Sequence, residues 1–113
     1  MVYKIENSED LEKLPLTEDT TLKLLCHHAK TLEEEYGKGR VEGSDGGYVL
    51  FASPGTKEEE LKAFFDVSET RPEYVNRYGN ICEAFYCLNN DYVVAIIMSI
   101  TDAPTEIVKE IDN

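Results

Sequence analysis

A chain of 113 residues, 42% hydrophobic and 30% charged, is the size of one globular domain and can bury a core without a disulfide or metal staple. Its formal net charge of −12 argues against a surface that attracts nucleic acid or anionic membrane, because both need Lys and Arg against phosphate. A partner selected by charge is then a basic protein, and the plainer reading is that acidity keeps a small protein in solution.

Cys26, Cys82 and Cys87 are an odd count without the spacing of a disulfide framework. The opening residues, Met1 to Glu6, carry no basic segment followed by an apolar run, so no secretory leader is expected. The longest apolar stretch, Tyr92 to Met98, falls well short of the ~20 residues of a membrane-spanning helix. A single cytoplasmic domain over residues 1–113 is the expectation.

In chain order, Val2 to Ile5 reads as a short strand and Ser8 to Leu14 as a helical turn ended by Pro15. Leu22, Leu25, Ala29, Leu32 and Tyr36 recur at spacings of three and four, which predicts a helix over 17–36 with one apolar face. Thr17 is its expected N-cap, Glu18 and Asp19 suit the positive end of its dipole, and Gly37 stops it. Glu33, Glu34 and Glu35 lie at the unfavourable end of that dipole, for which local helix physics gives no reason.

Gly43 to Gly47 reads as a loop or tight turn, and 48–53 as a strand broken by Pro54 and Gly55. Thr56-Lys57-Glu58-Glu59 has the pattern of a capping box opening a helix over 57–66, with Leu61, Phe64 and Phe65 on its apolar face. Between Ser68 and Gly79, Pro72 as a first helical residue and Gly79 as a stop predict a short helix carrying Tyr74, Val75 and Tyr78; an irregular surface segment is the alternative.

The strongest strand signal is a hairpin, 81–88 and 92–100, joined by Asn89-Asn90-Asp91. Its second strand is apolar on both faces, which marks a strand covered on both sides or by a partner. Asp102 is the expected cap of a last helix over 104–112, with Ile107, Val108 and Ile111 inward. The order predicts an α+β fold: a mainly antiparallel sheet of three to four strands (the hairpin, 48–53 and 2–5) packed by helices 17–36, 57–66 and 104–112.

Candidate chemistry is sparse. Cys26, His27 and His28 are adjacent, so on a helix they point about 100° apart and do not converge on one ion. His28 falls at the edge of the apolar stripe and reads as a boundary residue. Cys82 and Cys87, five apart on a strand, point to opposite faces, and the burial habit of free cysteine favours both being buried. Neither the Gly43–Gly47 loop nor Ser53-Pro54-Gly55-Thr56 carries a phosphate-binding motif, and no nucleophile elbow or catalytic triad is recognisable. No motif calls for a cofactor or a metal. Glu83 stands out within an apolar strand: inward-facing it would have a raised pKa and mark a site, but burial statistics for Glu favour an outward position.

The leading functional expectation is therefore a small acidic interaction or inhibitor module. It would bind a basic protein through the carboxylate patches Glu33, Glu34, Glu35 and Glu58, Glu59, Glu60, with Tyr74 and Tyr78 as aromatic anchors drawn from a tyrosine set that also includes Tyr36, Tyr48, Tyr86 and Tyr92. A homodimeric accessory domain without catalytic activity is the alternative, motivated by the two-faced strand. A small-ligand binder or enzyme, with Glu83, His28 and Cys26 as its candidate groups, is the third.

Overall fold

The computed structural model describes residues 1–15, 18–36, 47–89 and 92–111. Five strands form one sheet: β1 (Val2–Ile5), β2 (Gly47–Ala52), β3 (Tyr74–Tyr78), β4 (Ile81–Asn89) and β5 (Tyr92–Ser99), in the order β1-β2-β5-β4-β3. Among the described residues three α-helices accompany them: α1 (Asp19–Tyr36), α2 (Glu58–Lys62) and α3 (Thr105–Ile111). The fold is α+β, as the element order predicts, but the sheet is mixed and has five strands rather than being mainly antiparallel with three to four. β2 runs parallel to β5, from Gly47↔Val93 to Phe51↔Ile97, while β1–β2, β3–β4 and β4–β5 are antiparallel. A strand's local pattern records which residues are buried, not the direction of its neighbour.

The fifth strand is the segment read as a short helix. Tyr74, Asn76 and Tyr78 alternate with Val75 and Arg77 across β3, and Tyr78↔Ile81 closes a two-residue turn at Gly79-Asn80. Gly79 has φ +60°, and no non-glycine residue described has positive φ, the pattern of a type II′ hairpin turn. Gly79 is thus the pivot of a hairpin instead of a helix stop.

The two-faced apolar strand is explained by its place at the centre of the sheet. On one face, Val49, Phe51, Ala95 and Ile97 pack with Ile5 beneath Leu25, Ala29 and Leu32 of α1. On the other, Leu50, Val94, Ile96 and Met98 pack with Leu61 of α2, Phe65, Val67 and Ile107 of α3. β5 is covered on both sides by its own chain.

Helix starts depart from the sequence reading. Thr17, the expected cap of α1, lies outside the described residues. Glu18 does the capping: its carbonyl accepts from Leu22 N at 3.1 Å, and its carboxylate accepts from Thr20 N at 3.2 Å and Thr21 N at 2.7 Å. The capping box at Thr56 does not form, because Thr56 Oγ1 donates to the Ser53 carbonyl at 2.6 Å and Lys57 occupies the cap position without a side-chain bond. Asp102 accepts from Gly55 N at 2.9 Å, tying the loop after β5 to the loop after β2 instead of capping α3. The turn residues Asn90 and Asp91, and Gly43 to Gly46, lie outside the described residues, whereas Gly47 begins β2.

Gly47 lies close against Leu32 of α1 and Val93 of β5. A Cβ there would meet Val93 Cγ2 at 2.4 Å and Leu32 Cδ2 at 2.5 Å. Gly47→Ala is expected to destabilise the fold by about 1–3 kcal/mol through overpacking, measured by urea denaturation. Tyr86 is fully buried and its hydroxyl has no hydrogen-bond partner among the described residues. Tyr86→Phe removes that orphaned group while keeping the ring against Phe65, and should raise stability by about 1 kcal/mol in the same assay.

Candidate functional site

Helix α1 packs on β2, β5 and β4, which leaves the outer strand β3 less covered on that face. Strand periodicity puts Tyr74, Asn76 and Tyr78 on one face of β3. Tyr74 and Tyr78 are 41% and 43% exposed, the two most open tyrosines among the described side chains. The sequence reading paired them through a helical i,i+4 spacing; the strand keeps them together by a different period.

The tyrosine surface is held from below. The Tyr74 ring stacks on Phe85 at 5.1 Å with an interplanar angle of 9°, and Phe85 lies against the His28 ring at 6.1 Å and 20°. Three rings thus run from the outer strand to α1, so Tyr74 presents a rigid edge rather than a free side chain. Burial and the nearby Glu83 carboxylate raise the Tyr74 phenol above its ordinary value, so it stays a neutral hydroxyl at physiological pH.

Under that row lies a buried carboxylate, the one Asp or Glu among the buried described residues. Glu83 faces inward and is 4% exposed, against the outward position that burial statistics favoured. Its Oε2 lies 2.6 Å from His28 Nε2, and its Oε1 accepts from Asn76 Nδ2 at 3.0 Å. The hydrogen bond with His28 outweighs burial and holds the Glu83 carboxyl below its ordinary range, the reverse of the raised value expected for an inward Glu. With Glu83 ionised, a 2.6 Å contact needs a proton on Nε2, so the ring donates to the carboxylate. His28, itself 6% exposed, is therefore a buried partner and not a boundary residue. The three polar groups join α1, β4 and β3.

The remaining candidates are dispersed. Glu34 and Glu35 are exposed on α1, whereas Glu33 accepts from Ser8 N at 2.7 Å and Ser8 Oγ at 2.5 Å. That contact with the 3-10 turn Ser8–Lys13 gives Glu33 a structural reason for its place near a helix C-terminus. Glu58, Glu59 and Glu60 are exposed in the first turn of α2, on the opposite layer of the sheet, with Glu58 3.6 Å from Lys62. The two acidic groups thus face different sides of the molecule, and only Glu34 and Glu35 share a layer with Tyr74 and Tyr78. Tyr48 and Tyr86 are core residues; the side chains of Tyr36 and Tyr92 lie outside the described residues.

Cys82 is buried and Cys87 exposed, so the shared burial expected of them fails although they do face opposite ways. Burial pushes the Cys82 thiol up to about 11, and burial together with Glu73 and Glu35 raises that of Cys87. Both thiols are thus protonated at neutral pH, a poor state for a nucleophile. The Nε2 proton of His28 is committed to Glu83, which ties α1 to β4.

Among the described residues no three His, Cys, Asp or Glu side chains are grouped to hold a metal ion, and no helix is long and apolar enough to cross a membrane. Comparison with protein-family models, with curated proteins and with solved structures finds no match to this chain.

The His28–Glu83 pair was missed because its members are 55 residues apart in sequence. The available signal was Glu83 itself, a lone carboxylate in an apolar strand, and His28 beside an apolar helical stripe. Glu83→Ala should cost about 3 kcal/mol at pH 7, since it strands His28 in a buried position. Because the folded pKa of Glu83 is depressed, its contribution is fully present above the ordinary value of 4.5 and is lost as pH falls through the folded value. The stability gap between wild type and Glu83→Ala, followed by urea denaturation from pH 7 to pH 3, is therefore expected to narrow in acid.

Proposed function

We propose that this protein is a small acidic interaction module that binds a basic protein, in the cytoplasm, through the tyrosine-bearing face of β3. The observation that carries the reading is the exposed pair Tyr74 and Tyr78 on an outer strand, with Tyr74 backed by the Phe85–His28 stack, in a chain of net charge −12. Tyrosine offers a large contact area at low entropic cost, and it is favoured where binding energy concentrates. Carboxylates around such an anchor steer a cationic partner and repel nucleic acid and anionic lipid. The three free cysteines fit a reducing compartment.

The layer arrangement sharpens the proposal. Glu34 and Glu35 lie on the layer of the sheet that carries Tyr74 and Tyr78, at the C-terminal end of α1, while Glu58, Glu59 and Glu60 lie across the sheet. The homodimer reading loses its motive, because the two-faced strand that suggested it is covered by the chain's own helices.

Affinity capture from a lysate of the source organism, eluted at stepwise salt, provides the partner for a quantitative test. Tyr74→Ala and Tyr78→Ala are each expected to weaken binding about 30-fold, the scale of a hot-spot truncation. Glu34→Lys with Glu35→Lys should slow association, whereas reversing Glu58, Glu59 and Glu60 should leave the rate within about twofold. An association rate that does not change with salt would sink the electrostatic part of the reading.

A further inference from the structure

The strands β2 and β5, the parallel pair, both end at the same side of the sheet, and a cleft of about 860 Å³ opens there. Its described walls come from Pro15 and the first turn of α1, the loop after β2, the β3–β4 turn and the loop after β5. Its size lies within the range of small-molecule sites, about 300–1,000 Å³. Its place outside the carboxyl ends of parallel strands is where open α/β sheets commonly hold ligands.

The lining sets the chemistry. Phe51 and Ile81 on the α1 side of the sheet and Met98 on the other supply apolar groups at the strand ends. Along one wall Asn80 Nδ2 donates to Ser99 Oγ at 2.8 Å, and Ser99 Oγ lies 2.8 Å from Thr101 Oγ1, which fixes a row of hydrogen-bonding groups. Glu18 and Asp102 bring two carboxylates to the cleft, and none of its described lining residues is Lys, Arg or His. The guanidinium of nearby Arg77 is engaged at 2.9 Å by the Gly79 carbonyl. Hydrogen bonds from Thr21 hold Glu18 below the usual carboxylate range, so it is charged at neutral pH. Phosphates and carboxylates are repelled by this lining. The half-exposed Tyr78 ring adds an aromatic group able to face a cation.

We infer that this cleft is a binding site for a small organic amine, its ammonium drawn to the carboxylates of Glu18 and Asp102 and its apolar body set against the strand-end side chains. The site does not depend on the protein-partner reading, with which it shares Tyr78 alone. A ligand of this kind is compact enough for a cleft bounded by separate segments, whereas an extended basic peptide is a poorer fit.

The test is a titration of the full ¹⁵N-labelled chain, at constant ionic strength, with tyramine and with 4-hydroxyphenylacetate, which share a ring and carry opposite charges. The expected result is saturable shifts from tyramine confined to amides of the cleft, including Ser53, Asn80, Ser99 and Thr101, with none from the acid. Asp102→Asn, which keeps an oxygen for Gly55 N, should weaken tyramine about tenfold, the scale of one charge-assisted hydrogen bond. Glu73→Lys, an exposed position beyond the end of β3 away from the cleft, should leave it unchanged and show that net charge alone is not responsible. Equal shifts from both compounds, shifts scattered over the acidic surface, an unaffected Asp102→Asn, or a lysine tripeptide shifting the same amides more strongly than tyramine would each overturn the inference.

Discussion

Ile96 and Ile97 point to opposite faces of β5, and both are fully withdrawn from water. A strand that is apolar on both sides can be stable only with a layer of structure over each face, and the rest of the chain is arranged to meet that demand. α1 lies over one face, and α2, α3 and the turn around Val67 over the other. With short helices and 113 residues, this cover is concentrated on the middle of the sheet. The outer strand β3 is left with half-open aromatic side chains, and the strand ends with a cleft. The tyrosine face and the strand-end cleft are what a three-layer arrangement leaves uncovered at this chain length.

The polar contact beneath α1 has a different role from the apolar packing. Hydrophobic burial would tolerate small slides of a helix along a sheet, because it is non-directional. A carboxylate held between His28 of α1 and Asn76 of β3 is directional, and it fixes helix, inner strand and outer strand relative to each other. Glu33 bonding to Ser8 adds a second directional tie at the far end of the same helix. The ring stack from His28 to Tyr74 then carries that fixed position outward to the surface.

What could be read from the sequence follows from how local each signal is. α1 and the β4–β5 hairpin were legible because their periods run over many residues, and Pro15 marked the end of the first helical turn. β3 was misread because Pro72 and Gly79 are as compatible with a short helix as with a strand and turn, and five residues give period two little room to show itself. The Gly79-Asn80 pair before an apolar run was the overlooked hairpin signal. The direction of β2, the partner of Glu83 and the loop tie from Asp102 to Gly55 all depend on groups distant in sequence, and no window of residues contains them. Of the candidate site, the tyrosine pair was found by residue type and the wrong period, while the buried support beneath Tyr74 was found only as an isolated Glu.

The placement of β2 has a consequence for how the chain acquires its fold. All six of its residues, Gly47 to Ala52, are buried, and one of its two neighbours, β5, follows only after α2 and the whole β3–β4 hairpin have been made. The β3–β4–β5 meander is local and forms quickly, but the parallel pairing must close a long loop before it is rewarded. During synthesis at the ribosome, Tyr48-Val49-Leu50-Phe51 is therefore an uncharged, strand-forming segment with half of its edge unoccupied. Until β5 emerges, such an edge is open to pairing with another unfinished chain, a hazard that grows with the length of chain between the two strands.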